Sequence, residues 1–225
     1  MKKNTFVIVL QKFSALFILI ILIAYLSLAN GNFFKISNFV NIIKQSSVLG
    51  IMAIGQTLVI LTGGIDLSVG SMMALSGCAM AVANTQWGIS PVPAVIIGIV
   101  MGMVAGLING LVITKGRIQA FIATLGMLQV AEGVSLLLTD GLPISGINKG
   151  MLKLGSGLVG GIPLSVFAFL GVVILGYIFL NMTTAGRNVI AVGGNEEASR
   201  TSGIRVDGTK ITVHTLSGLC CAIGG

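Results

Sequence analysis

The sequence predicts an all-α fold, a polytopic integral membrane bundle, and three observations carry that prediction. First, 55% of the 225 residues are apolar and only 8% are charged, whereas soluble domains carry about a quarter charged residues. Second, mean hydropathy is +1.04. Third, apolar runs near the length of a spanning helix, about 20 residues each, recur along the chain and predict six complete spans and the start of a seventh. Thirty-two glycines and a 6% aromatic content suit closely packed membrane helices. Residues 1–225 read as a single transmembrane domain.

The first run, 13–29, follows Lys2, Lys3 and Lys12. Ser27-Leu28-Ala29 has the small-residue look of a signal-peptidase site, but the run is long for a signal core and further spans follow. It is therefore expected to stay as an uncleaved first helix. Further runs follow at 46–62, 69–83, 92–113, 121–138 and 164–180, and a seventh opens near Ile211. The three N-terminal lysines place that end in the cytoplasm. Counting crossings from there puts Thr114-Lys115-Gly116-Arg117 inside, together with 181–210, which holds Arg187, Arg200, Arg205 and Lys210. Both internal loops are basic, as cytoplasmic loops should be. Lys35 and Lys44 fall outside and count against the scheme. The exterior stretch 139–163 is rich in turn formers (Asp140-Gly141, Pro143, Gly146, Gly150, Gly155, Gly157 and Gly160-Gly161), which predicts a mobile connection or a docking surface.

Several function classes drop out. The net charge of +7 would suit nucleic acid, but the basic residues are spread between apolar runs rather than gathered in one patch. Cys78 lies in an apolar run and Cys220-Cys221 are adjacent, so the cysteines offer neither metal spacing nor a disulfide framework. The sequence contains no Gly-x4-Gly-Lys-Ser/Thr phosphate loop, no nucleophile–base pair and no metal cluster. No cofactor is expected on this chain. His214, the only histidine, opens the seventh run without an evident partner and reads as an interfacial residue.

The most informative stretch is 61–71, where Asp66 stands among Gly63, Gly64, Ser68 and Gly70. A bilayer tolerates such an interruption only where protein or a watery cavity satisfies the freed backbone and the charge. The flanking runs are short, so they form either two crossings or a broken, re-entrant element. Asp66 has two readings: a cap accepting from the amide of Ser68 or Val69 at the next helix's positive end, or a gate group meeting substrate. Asp caps helices readily, which favours the first, and Ser68 shares either role. Gly98, Gly102, Gly106 and Gly110 recur every fourth residue and form one smooth helix face for close packing. Gln56, Asn109 and Gln129 are polar groups inside spans, suited either to a wet pathway or to interhelical hydrogen bonds. Glu132 is a carboxylate in the fifth run, where a charge costs about 2.5–3.5 kcal/mol; it should be paired, protonated or facing water.

The run Ile60-Leu61-Thr62-Gly63-Gly64-Ile65-Asp66-Leu67-Ser68-Val69-Gly70-Ser71 resembles a signature of the permease subunits of bacterial ATP-binding-cassette importers for ribose and related monosaccharides. Lys115-Gly116-Arg117-Ile118-Gln119-Ala120-Phe121-Ile122-Ala123-Thr124-Leu125 is similar to the same family, as is the loop from Gly186 to Ile204. Within that loop Glu197-Ala198-Ser199, three further residues and Gly203 resemble the permeases' short coupling motif, with Ser in place of its second Ala. The resemblance runs from about residue 31 to the end. It implies that Asn195, Glu196, Glu197, Ala198, Ser199 and Gly203 form a cytoplasmic helix seated on an ATP-hydrolysing subunit. Independently, Asn195 can cap a helix whose N-terminal dipole Glu196 and Glu197 complement. Family members often carry a basic residue where Glu132 stands, so Glu132 inherits no role.

The resemblance further implies an external or periplasmic sugar-binding protein, a cytoplasmic ATP-binding cassette subunit that carries the ATP, and a second permease copy, all at the bacterial inner membrane. Gln56, Asn109 and Gln129 would then offer neutral donors and acceptors to sugar hydroxyls. Relatives continue through several more helices beyond the point where this sequence stops, at Gly224-Gly225, so a C-terminally truncated sequence is expected. The rival readings are an ion-coupled secondary transporter with a broken helix around Asp66, and a non-transporting fragment that packs through its glycine face.

Overall fold

The computed structural model describes residues 13–225, which form ten helices and one two-stranded ladder. In chain order these are α1 (Ser14–Ala29), α2 (Ile36–Leu61), α3 (Val69–Thr85), α4 (Pro91–Thr114), α5 (Ala120–Thr139), α6 (Lys149–Ser156), β1 (Leu158–Val159), β2 (Ile162–Pro163), α7 (Leu164–Met182), α8 (Thr184–Gly194), α9 (Glu196–Thr201) and α10 (Val206–Gly224). Four of them, α2, α4, α5 and α7, are long and apolar enough to cross a membrane. The remaining apolar helices α1 and α3, of 16 and 17 residues, are each only about 25 Å long at 1.5 Å per residue. Lys2, Lys3 and Lys12, on which the expected orientation rests, lie outside the described residues.

The chain divides into two compact units, one ending at Ile43 and one beginning at Lys44. In the first, α1 buries no residue, and Asn38 donates from Nδ2 to the Phe33 carbonyl at 2.8 Å, holding the start of α2 to the connection before it. The second unit has its core among α3, α4, α5 and α10, where Met72, Leu75, Ala105, Met127, Ala131 and Cys221 pack together. A second cluster joins Leu58 and Val59 of α2 to Val189 of α8 and Val213 of α10. No residue of α7 is buried. So much exposed apolar surface would be intolerable in water and is the ordinary exterior of a membrane helix.

Glycine sets how closely α4 and α10 approach. A Cβ built on Gly102 would lie 2.7 Å from the Gly218 carbonyl oxygen and 2.7 Å from the Ala222 Cβ. One on Gly110 would stand 2.7 Å from the Ile211 Cα, and one on Gly106 would strike the His214 carbonyl oxygen. Gly98 instead faces α3, against Met80 and the Ser76 carbonyl. At Gly106 and Gly110, α4 thus lies backbone to backbone on α10, and at Gly102 only the small Ala222 side chain joins the contact.

Several sequence expectations need correcting. The second apolar run starts its helix at Ile36 rather than 46, so Lys44 lies inside α2 and not in an exterior loop. Hydropathy marks membrane depth, whereas the polar turns around Asn38, Asn41 and Gln45 are helical without being apolar. The turn-rich stretch 139–163 contains α6, capped by Asn148 accepting from the Gly150 amide at 2.8 Å, and the antiparallel β1–β2 pair. Segment 181–210 is mostly helical, and the last helix begins at Val206, five residues before the apolar run at Ile211.

Adding a methyl at Gly106 forces it against a backbone oxygen that cannot rotate away, and overpacking of this kind costs about 1–3 kcal/mol. Gly106→Ala is therefore expected to lower the thermal midpoint of the detergent-purified protein. Gly126→Ala, whose methyl meets nothing within 4 Å, should leave it unchanged or slightly higher.

Candidate functional site

The connection from α2 to α3 explains the two glycines first. Gly63 has a φ of +77°, and its amide donates to the Ile60 carbonyl at 2.9 Å while that of Gly64 reaches back to Val59 at 3.1 Å. This is a Schellman closure, in which a residue in the left-handed region turns the chain and satisfies the last carbonyls of the helix. The chain then runs through Ile65, Asp66 and Leu67 and enters α3 at Val69, so 62–68 is a short link between two separate helices.

A buried polar node forms around that link. Asp66 Oδ1 accepts from the Ser68 amide at 2.9 Å and from the Ser68 hydroxyl at 2.6 Å. Ser68 Oγ in turn accepts from Asn109 Nδ2 of α4 at 2.9 Å. Thr124 of α5 clamps the link from the other side: its Oγ1 accepts from the Leu67 amide at 3.2 Å and lies 3.3 Å from the Ile65 carbonyl. From α10, His214 places Nδ1 3.7 Å from Asp66 Oδ2. Asp66 is 3% exposed and His214 2%; Ser68, Asn109 and Thr124 are buried as well. The link and α10 thus face the carboxylate itself, while α4 holds Ser68 and α5 holds the backbone of the link.

The sequence reasoning missed His214 and Thr124. His214 is buried rather than interfacial because α10 starts at Val206, which carries residue 214 two turns into the helix. The usable signal was that a lone histidine and a lone aspartate stand in different apolar runs of a chain poor in charge. Thr124 carried no signal beyond its place in a family-like run. Gln56 of α2 is half-buried with an unpartnered Oε1, whereas Gln129 and Glu132 lie exposed on the side of α5 away from the core. None of these three bonds to the node.

The residues of the family-like stretch 195–203 form a second cluster with the start of α10. Asn195 accepts from the Ala198 amide at 2.9 Å and caps α9, while Gly203, at φ +85°, turns the chain toward α10. Glu196 pairs with Lys210 at 2.7 Å and with Arg200 at 3.5 Å. Asp207 pairs with Arg200 at 3.2 Å and with Lys115, just beyond α4, at 3.6 Å. The Arg200 hydrogen bond, assisted by the charges of Arg200 and Lys115 and opposed by slight burial, holds the Asp207 carboxyl below its ordinary value. Ser199 is buried, whereas Glu197 and Ala198 are exposed. A cavity of about 900 Å³ opens between the α2–α3 link, the α4–α5 connection, α8, α9 and α10, and His214 lines it. Among the described residues no group of His, Cys, Asp and Glu could hold a metal.

Residues 38–225 match the model of the branched-chain amino acid transport system permease component. The chain belongs to this permease family. Among its relatives are the ribose import permease proteins RbsC of Bacillus subtilis and Escherichia coli K12. Each is 42% identical to this permease over 96% of this chain and 68% of the relative. The fructose import permease protein FrcC of Rhizobium meliloti is 37% identical, over 91% of this chain and 59% of its own. No solved structure matches the permease. The family and the long apolar helices make it a multi-pass membrane transport component, and its relatives are permeases rather than enzymes.

Three variants test this geometry. Asn109→Leu removes the donor that ties α4 to Ser68 and should cost about 1–3 kcal/mol, read as a lower thermal midpoint. Gln129→Leu, on the exposed face, should leave the midpoint unmoved. Because the Asp207 value is depressed, its ion pairs stabilise the fold above the unfolded carboxyl's value of about 3.9 and lose that contribution as pH falls through the folded value. Arg200→Ala should return the Asp207 titration toward the ordinary range, measured by carboxyl NMR.

Proposed function

We propose that the chain is the membrane-spanning permease subunit of an ATP-driven importer for ribose or a closely related monosaccharide. The observation that carries this reading is the 42% identity to ribose import permeases across 96% of the chain. Fructose and arabinose permeases stand further off, at 37% and 36%. An external binding protein delivers the sugar, a second permease copy completes the pathway within the lipid bilayer, and a cytoplasmic ATP-binding cassette subunit hydrolyses the ATP. The N-terminus lies in the cytoplasm, so the α2–α3 link, the α4–α5 connection and α8–α9 share that side.

In this mechanism the permease need only be bistable, with each partner favouring one of its states. The cytoplasmic subunit holds α9, where exposed Glu197 and Ala198 offer a free face beside the ion-paired Glu196 and Arg200. The node around Asp66 shapes the cytoplasmic gate. Its donors are satisfied mainly within the protein, which supports Asp66 and Ser68 as organisers of the gate rather than sugar ligands. Gln129 and Glu132, on the open side of α5, are better placed to meet water or substrate hydroxyls than lipid.

Uptake of ribose into proteoliposomes holding the permease with its ATPase and binding protein tests the proposal. Transport is expected only when ATP and both partners are present, and Glu197→Ala is expected to reduce it about fivefold or more. Uptake that needs no ATPase and follows an imposed ion gradient would overturn the reading and favour an ion-coupled transporter.

A further inference from the structure

The functional reading leaves His214 without a task, although it is the only histidine in the chain and almost fully buried. Its Nδ1 and Asp66 Oδ2 face each other at 3.7 Å, beyond hydrogen-bonding distance. Neither atom has another hydrogen-bond partner among the described residues. Two buried, unsatisfied atoms that point at one another are costly as they stand. With its proton on Nδ1 the imidazole would bond the carboxylate if α10 moved toward the α2–α3 link by less than 1 Å.

The surroundings provide both a push and a slideway for that movement. One turn before His214 on α10, Lys210 holds Glu196, the first residue of α9, at 2.7 Å. Asp207, another turn nearer the start of α10, holds Arg200 of α9 at 3.2 Å. A displacement of α9 therefore acts directly on the helix that carries His214. On its α4 side this helix meets glycine, and the His214 carbonyl sits against Gly106, where no side chain interlocks to resist a small shift along the contact. The cavity that His214 lines leaves room on the cytoplasmic side. At the other end, Asp66 is bonded to Ser68, and Ser68 to Asn109, so a change at Oδ2 reaches the start of α3 and the middle of the bundle.

We propose that His214 is the positioning residue that transmits movement of α9 to the gate: its Nδ1 is parted from Asp66 Oδ2 in this conformation and bonds to it in the alternate one. The proposal rests on the importer reading above. It assigns a two-state contact between the cytoplasmic segment and the α2–α3 link, of the kind that energetic coupling across a protein requires.

The test measures sugar transported per ATP hydrolysed, in proteoliposomes containing the permease with its ATPase and binding protein. His214→Leu removes the donor, His214→Gln carries an amide to the position of Nε2, and His214→Asn places an amide nitrogen near that of Nδ1. The expected result is that Leu and Gln lower the transport-to-hydrolysis ratio about fivefold or more while hydrolysis continues, and that Asn restores most of it. A merely structural histidine would lose uptake and hydrolysis in proportion and would not distinguish Asn from Gln; that result overturns the proposal. Should His214→Leu fail to assemble, the Asn–Gln comparison decides alone, and equal ratios for the two count against it. Wild-type transporter that shows no ATP-dependent uptake would instead overturn the importer reading, and this inference with it.

Discussion

Asp66 puts a carboxylate into a chain with little polar surface to receive it, and the packing around the α2–α3 link is organised by that need. Its Oδ1 is satisfied locally by Ser68, Ser68 is tied to α4 by Asn109, and Thr124 of α5 brackets the link. A buried polar group is worth keeping when its network is complete, since a half-satisfied one is costly in a low-dielectric interior. Here one half is complete. The Oδ2 side, facing His214, is where the network remains open.

Glycine is what brings the two ends of that network within reach. The approach of α4 to α10 requires that Gly102, Gly106 and Gly110 carry no side chain, since a Cβ at each would meet α10 within 2.7 Å or less. Wider spacing would separate Asn109 from the side of the bundle that carries His214. In membranes, where lipid is as apolar as leucine, close backbone packing of this kind replaces the hydrophobic effect as the source of helix association. The ion-paired residues Glu196, Arg200, Asp207 and Lys210 line the same cavity as His214.

The helical membrane class was legible from composition and apolar runs because those report membrane depth directly. Helix ends were less legible, since polar turns such as those around Lys44 and Val206 continue a helix without adding hydropathy. The glycine face on α4 could be read from its four-residue period, but its partner could not: which helix a smooth face meets is decided by tertiary contacts that no local pattern encodes. Gly63 shows the difference in another way. Its place beside Asp66 marks an interruption of the apolar run, and only its positive φ and the bonds to Val59 and Ile60 show how the helix ends there. His214 was illegible for a related reason: a single polar residue reveals its burial only when the start of its helix is known. The segment 139–163 was read from its turn formers, which mark boundaries well and conceal a short helix such as α6 placed between them.

In the mechanism proposed above, α9 and the Asp66 link are mechanically one piece, joined through α10. The most direct measurement is amide hydrogen exchange on the assembled transporter, comparing the nucleotide-free and ATP-bound states. Protection should change together in α9, in the first turns of α10 through His214, and in residues 62–70. A change confined to 184–205, with 62–70 unmoved, would contradict the claim.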